Sequence, residues 1–181
     1  METKNIVCLI PARGGSKGVK KKNIKRINNK PLIGWTLEEV KKSKYINDIY
    51  VSTEDVEISE TSKEFGAKVI KRDEALALDT TSTMEVVIDF IEQLKRRSIE
   101  FNHLLLLQCT SPLRTVDHID EAIEFYLNNV DKYDSLISVV EQEEHPYLSR
   151  KIGSDGVLED FIEFDKNTYY RRQDYPKVYH I

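Results

Sequence analysis

No stretch of this 181-residue chain is apolar for long enough to cross a bilayer, which takes roughly 20 residues as a helix. The opening, Met1-Glu2-Thr3-Lys4-Asn5, runs straight into a strand-like segment and has none of the parts of a signal peptide. The expectation is a cytoplasmic protein with no membrane partner. Cysteine is scarce. Cys8 and Cys109 both sit in apolar runs, and two such residues make neither a disulfide framework nor a zinc site; both read as small buried hydrophobes. An excess of positive charge is also missing: the net charge is −4, which argues against a general nucleic-acid partner. Yet six of the ten residues from Lys17 to Arg26 are basic. A compact cationic patch on an acidic protein suits a small polyanion better than a long phosphate backbone, while charge alone favours a solvated basic loop. What the chain does have, 40% hydrophobic and 32% charged residues, is the composition of one globular domain with a full core.

Strand-like and helix-like patterns alternate along most of the chain. Asn5–Pro11 is a buried strand, 31–43 a helix opened by Pro31, and Asp48–Thr53 a second strand. A helix over 54–65 ends at Gly66, and Ala67–Lys71 is a third strand. A helix follows over 82–97, with Met84, Val87, Ile88, Ile91 and Leu94 on its apolar stripe. His103–Gln108 is a buried strand, 117–128 a helix, and Ser135–Val140 a further strand. This alternation predicts an α/β fold, a mostly parallel sheet wrapped on both faces. The period is lost over 141–172, which carries Gly153, Gly156 and the aromatics Tyr147, Phe161, Phe164, Tyr169 and Tyr170. It reads as β-hairpin material outside the main sheet, with a partner subunit as the surface on which the aromatics pack. The expected organisation is a nucleotide-binding α/β core over 1–140, a dimerisation arm over 141–172, and a return to the core over 173–181.

The first strand ends in a glycine-rich turn, Ala12-Arg13-Gly14-Gly15-Ser16-Lys17-Gly18. In an open α/β sheet, ligands bind beyond the carboxyl ends of the strands. A turn with three glycines can aim several backbone N–H groups at one point, as phosphate nests do, and Arg13, Lys17 and Lys22 add charge. The turn is not a Walker A loop, because no Gly-Lys-Ser/Thr follows at the required spacing, and it lacks the Gly-x-Gly step of the dinucleotide fingerprint.

The longer string Ile10-Pro11-Ala12-Arg13-Gly14-Gly15-Ser16-Lys17-Gly18, followed by Lys22-Asn23-Ile24, closely resembles the opening of the acylneuraminate cytidylyltransferases, the CMP-sialic acid synthetases. Val51-Ser52-Thr53-Glu54-Asp55 is similar to that family's second-strand motif. Arg72 with Leu76-Ala77 and Asp79-Thr80 is similar to its nucleotide loop, Leu107-Gln108-Cys109-Thr110-Ser111-Pro112-Leu113-Arg114 to its sugar-site motif, and Arg172-Gln173-Asp174-Tyr175-Pro176 to the motif near its subunit arm. Motifs in this order span essentially the whole chain.

The resemblance implies a Rossmann-like three-layer nucleotidyltransferase sheet with a β-hairpin dimerisation arm. It also implies a reaction in which CTP and an acidic nine-carbon sugar give CMP-sugar and pyrophosphate, with Mg²⁺ as cofactor and a homodimer as the working form. It assigns Arg13 and Lys22 to the CTP phosphates and to catalysis. Ala12, Gly15, Ser16, Lys17 and Asn23 belong to the nucleotide site, Arg72 and Thr83 to the cytidine portion, and Gln108, Thr110 and Arg172 to the sugar. Relatives carry two aspartates one residue apart near the C-terminus, and the resemblance makes these the Mg²⁺ ligands. The motif would fall beyond Ile181, so no metal ligand is assigned here, Asp55 and Asp79 included. A CTP-binding pseudoenzyme or scaffold lacking that metal site is the alternative from another class, and the eight-carbon keto-sugar of lipopolysaccharide core is the alternative substrate. Leu148 and His180 depart from the lysine and arginine of some relatives, which fits a sugar other than plain N-acetylneuraminate.

Overall fold

The computed structural model describes residues 5–165, 168–169 and 171–181, and the side chain of Arg172 lies outside the described set, as does Tyr170. The chain divides into two compact units, Met1–Asn128 and Asn129–Ile181.

In the first unit, strands β1 (Ile6–Pro11), β2 (Ile46–Thr53), β3 (Lys68–Lys71) and β4 (His103–Leu106) form a four-stranded sheet in the order β3-β2-β1-β4. All three pairings are parallel, and Cys8 of β1 lies opposite both Ile49 and Leu105. Strand β1 is apolar at every position because both of its faces are buried. Ile6, Cys8 and Ile10 join one core with α1 (Leu32–Val40), α2 (Val56–Glu64) and α4 (Val116–Leu127), through Leu37, Ile58, Ile119 and Ile123. Val7 and Leu9 join a second core with α3 (Thr83–Arg96), through Val87, Phe90 and Leu94. Tyr50 of β2 meets the Phe90 ring edge to face at 5.3 Å. Each fully buried Leu or Phe contributes about 1.5–3 kcal/mol, so two-sided burial fixes β1 as the centre of a three-layer α/β structure.

The ends of these elements follow from local chemistry. Pro31 stands just before α1 with φ −60°, already suited to helix entry. The Asp55 carboxylate caps α2 by accepting from Ile58 N–H at 2.9 Å. Gly66 follows α2 with φ +85°, a left-handed conformation that favours glycine, as its place in the sequence predicts. Helix α3 opens with a reciprocal capping box between Ser82 and Glu85, so Ser82 is the cap and Thr83 the first helical residue.

The expected strand over Ser135–Val140 is corrected. Only Val140–Glu141 pairs, antiparallel to Tyr179–His180, and Leu136, Ile137, Val139 and Val140 are exposed. An apolar run encodes a demand for burial but not the strand that will meet it, and among the described residues no strand pairs with 135–139. The sheeted unit therefore ends after α4, whereas the sequence pattern carries the core to residue 140.

The second unit holds an antiparallel hairpin, β5 (Arg150–Ile152) and β6 (Leu158–Asp160), closed by Gly153 N–H donating to Val157 O at 2.8 Å. Its aromatics pack largely on one another. Tyr147 stacks on Phe164 at 4.5 Å, and Tyr175 lies 4.8 Å from the His145 ring and 5.0 Å from Tyr169. His145 is buried, and its Nδ1 accepts from Tyr147 N–H at 3.2 Å. This unit thus has a small aromatic core of its own.

Candidate nucleotide site

The strand order sets the place of the site. From β1 the chain steps outward through β2 to β3, then returns to the other side of β1 for β4. The connections diverge at the carboxyl end of β1, the point where open α/β sheets leave a crevice. A cleft of about 530 Å³ opens there, entirely within the first unit. One wall is the glycine-rich turn with the 3-10 turn Lys22–Ile24. The opposite wall is the loop from Arg72 to Thr83, and the floor is Gln108–Thr110 after β4.

Arg13, Ser16, Lys17, Lys22, Asn23, Arg72, Thr83, Gln108 and Thr110 all line this cleft. They come from four separate stretches of sequence. Ala12 and Gly15 belong to the turn but are not among the lining residues. The Ala12 N–H is spent on Ser52 O at 3.0 Å, which ties the start of the turn to β2. Gly14 is the glycine with a steric reason: a Cβ there would sit 2.4 Å from Asp55 Oδ2. Its N–H donates to Glu54 Oε1 at 2.7 Å, so the end of β2 holds the turn from below. Arg172 lies in the second unit, in the turn Arg172–Asp174, with its side chain outside the described residues.

The cations differ in how they are held. Arg72 is 4% exposed. Its Nε donates to Ser52 Oγ at 3.1 Å, its Nη2 to Ser52 O at 2.6 Å and its Nη1 to Leu76 O at 3.5 Å. Burial lowers its pKa, partly offset by the nearby Glu54 carboxylate. Arg72 is first a brace between β2 and the loop it begins, and two of its five N–H groups are left over. Asn23 is buried, and its Nδ2 donates to Arg13 O at 3.0 Å, which fixes the backbone of the turn. Lys22 is half-buried beside it, and among the described residues no carboxylate lies within ion-pair reach of its ammonium.

Sequence reasoning leaves out the role of Asp79. Its Oδ1 lies 2.8 Å from Arg13 Nη2 and its Oδ2 2.8 Å from Lys17 Nζ, so one carboxylate spans the cleft to both cations. The hydrogen bond from Lys17, with the Arg13 contact, holds its pKa below the ordinary carboxylate range. The available signal was the lone aspartate in the nucleotide-loop motif, but the partner choice depends on contacts across the fold. The thiol of Cys109, buried in the floor, is pushed up to about 12 by desolvation, which removes it as a nucleophile. Among the described residues no group of three His, Cys, Asp or Glu side chains is arranged to hold a metal ion. Asp79 is the single carboxylate among the residues that line the cleft, so these residues alone do not fit a resident Mg²⁺. No described helix is long and apolar enough to cross a membrane.

A family model described as Cytidylyltransferase matches residues 7–180. The N-acylneuraminate cytidylyltransferase of Streptococcus agalactiae serotype V is 35% identical over 176 residues, 96% of this chain and 41% of that protein. The pseudaminic acid cytidylyltransferase of Campylobacter jejuni is 33% identical over 175 residues, 96% of this chain and 74% of that protein. This chain thus spans about two-fifths of the length of the first of these relatives. Among solved structures, the CMP:2-keto-3-deoxy-manno-octonic acid synthetase complexed with CTP matches with a TM-score of 0.60 at 21% identity, over 70% of this chain and 48% of that one, a likeness of fold. With three of the ordered motifs, those of the glycine-rich turn, the Arg72 loop and Gln108–Thr110, gathered in one cleft at the switch point of the sheet and a family model that covers nearly the whole sequence, the chain belongs to the cytidylyltransferase family.

Proposed function

We propose that this chain carries the nucleotide site of an enzyme that joins CMP from CTP to an acidic nine-carbon sugar of the nonulosonic kind, with release of pyrophosphate. The observation that carries the reading is the convergence of Arg13, Lys17 and Lys22 on a cleft that also presents Gln108 and Thr110. Relatives named for N-acylneuraminate and for pseudaminic acid favour an acidic sugar of this size over the eight-carbon keto-sugar.

In the proposed reaction, the anomeric hydroxyl of the sugar attacks the α-phosphorus, a new P–O bond forms, and the bond to the β-phosphate oxygen breaks. Pyrophosphate leaves and the hydroxyl proton is lost to solvent or buffer. Such a displacement asks little covalent chemistry of the protein, so orientation and charge neutralisation supply most of the rate. Lys22, half-buried and without an acidic partner among the described residues, is suited to stabilise charge that develops on the departing pyrophosphate. Arg13 and Lys17 take the outer phosphates. Arg72 holds the loop against which cytidine would lie, and Thr83 supplies a hydroxyl on that wall. Gln108 and Thr110, on the floor, are placed for the sugar side. Mg²⁺ enters this reading only as a companion of the triphosphate, and no step is routed through it.

We further infer that the hairpin meets a partner subunit, bringing Arg172 toward a sugar carboxylate. Ile152 and Leu158 form a cross-strand pair at 75% and 67% exposure, an apolar surface that a second copy would cover. A sedimentation measurement showing only monomer at micromolar concentration would remove this part.

The main test pairs calorimetry with turnover. CTP is expected to bind wild-type chain, and pyrophosphate release is expected with Mg²⁺ and a panel of sialic, legionaminic and pseudaminic acids. Lys22→Ala should lower release by about 100-fold or more, in line with loss of a transition-state charge contact. Failure of CTP to bind, or binding unaffected by Lys22→Ala together with Arg13→Ala, would overturn the reading.

A further inference from the structure

We propose that Asp79 is an internal occupant of the phosphate seat: its carboxylate stands where a phosphate would, and an incoming polyphosphate must displace it. The inference rests on the reading of the cleft as a polyphosphate site, and adds the residue that competes for it.

The geometry is that of a bidentate anion. Arg13 and Lys17 project from the glycine-rich turn, and Asp79 reaches them from the opposite wall, giving one oxygen to each cation at 2.8 Å. The same wall supplies a weaker backbone contact, Arg13 Nη1 to Ala77 O at 3.4 Å. Two neighbouring cations without an anion repel one another, so a single carboxylate between them stabilises the empty turn. It leaves net positive charge, because one negative charge faces two positive ones, and Lys22 in the same cleft adds a third. A triphosphate, with several negative charges, can outcompete it.

The contact is also built to open. The Asp79 side chain is 41% exposed and that of Lys17 79%, so both pairs face water, where such contacts are individually weak. The segment that carries Asp79 is lightly tied, by Thr81 N–H to Leu78 O at 3.2 Å and Thr81 Oγ1 to Ala75 O at 3.4 Å. The other side is firm. The Arg13 backbone is held by buried Asn23, and the preceding residue by Ser52 O. Displacement would therefore move the Asp79 loop outward and leave the cations in place. Lys22, not engaged by Asp79, offers the first purchase for the ligand.

The proposal gives Asp79 the opposite sign from a residue that merely supports Arg13. Calorimetric titration of wild-type, Asp79→Asn and Glu74→Gln chains with sodium tripolyphosphate and with CTP, at low and high salt, separates the two. Glu74 is an exposed carboxylate on the same loop and controls for general removal of negative charge. Asp79→Asn is expected to bind tripolyphosphate about three- to tenfold more tightly at low salt, with the gap narrowing as salt is added, and Glu74→Gln to change it by less than about twofold. Equal or weaker binding by Asp79→Asn, or an equal gain in Glu74→Gln, would overturn the inference. Tighter tripolyphosphate binding by Asp79→Asn without any preference for CTP would keep the inference and remove the cytidine reading. Absence of binding of either ligand to any of the three chains would remove both. Far-UV circular dichroism checks that each variant is folded.

Discussion

The two units of this chain solve the burial problem differently. The first uses a parallel sheet whose central strand is covered on both faces, so aliphatic residues from four strands and four helices share two continuous cores. The second has only short pairings and gathers His145, Tyr147, Phe164, Tyr169 and Tyr175 into a cluster of rings. A periodic scaffold can carry a precisely positioned cleft at its edge. A cluster of rings on irregular backbone can hold itself together but leaves apolar side chains such as Ile152 and Leu158 in water. The cleft belongs to the unit whose geometry is fixed by repetition.

The sharpest way to break this contrast is to cut into both cores. Phe90→Ala should destabilise the first unit by about 3–5 kcal/mol, measured by urea unfolding. Tyr147→Ala should cost about 1 kcal/mol per lost stacked pair and leave amide-exchange protection of β1 unchanged. Equal loss of β1 protection in the two variants would mean that the units are not energetically separate.

Next in size is the brace. Arg72→Lys keeps the charge but loses the planar fork to Ser52, and should cost about 1–3 kcal/mol in the same unfolding assay. A stability within error of wild type would make Arg72 a ligand contact rather than a strut. Gly14→Ala is expected to act mainly on function. The new Cβ must push against Asp55, which costs about 1–3 kcal/mol and shifts the turn, so polyphosphate binding should fall further than that stability loss predicts. The smallest effect concerns the cysteines. With Cys109 raised to about 12, its thiolate fraction at pH 8 is about a thousandfold below that of an ordinary thiol, so alkylation should be negligible until the chain unfolds. Burial also pushes Cys8 up. Labelling at the rate of a free thiol in folded protein would contradict the closed floor of the cleft.

Much of the first unit was legible because its physics is periodic. The uniformly apolar run at β1 and Gly66 after α2 each carry a local reason for their structure, and the structure follows them. The stripe expected on α3 is corrected in part: Val87 and Leu94 are buried, but Met84 and Ile88 are exposed and Val86 and Phe90 take the buried places, because the face that packs is chosen by the sheet beneath and not by the helix alone. That the glycine-rich turn borders a cleft with its cations was legible because glycine and cations sit together in sequence after β1, whereas the internal partners of the Ala12 and Gly14 N–H groups were not. The strand expected over Ser135–Val140 failed because an apolar run does not name its neighbour. The Asp79 contacts were invisible because Arg13 and Asp79 lie far apart in sequence, and only the fold brings them within 2.8 Å. A shorter separation in sequence still hid the brace from Arg72 to Ser52, because one residue stands on β2 and the other just past the end of β3.

Ser52 has a consequence for tolerance to deformation. Its carbonyl receives both the Ala12 N–H and the Arg72 guanidinium, so the two sides of the crevice are gauged from a single oxygen. A slight shear or change of twist carries both sides along together. The spacing between those two anchors is then kept while their absolute position drifts, as the jaws of a caliper keep their setting when the whole tool is moved, and the Asp79 end of the loop stays free to move against them.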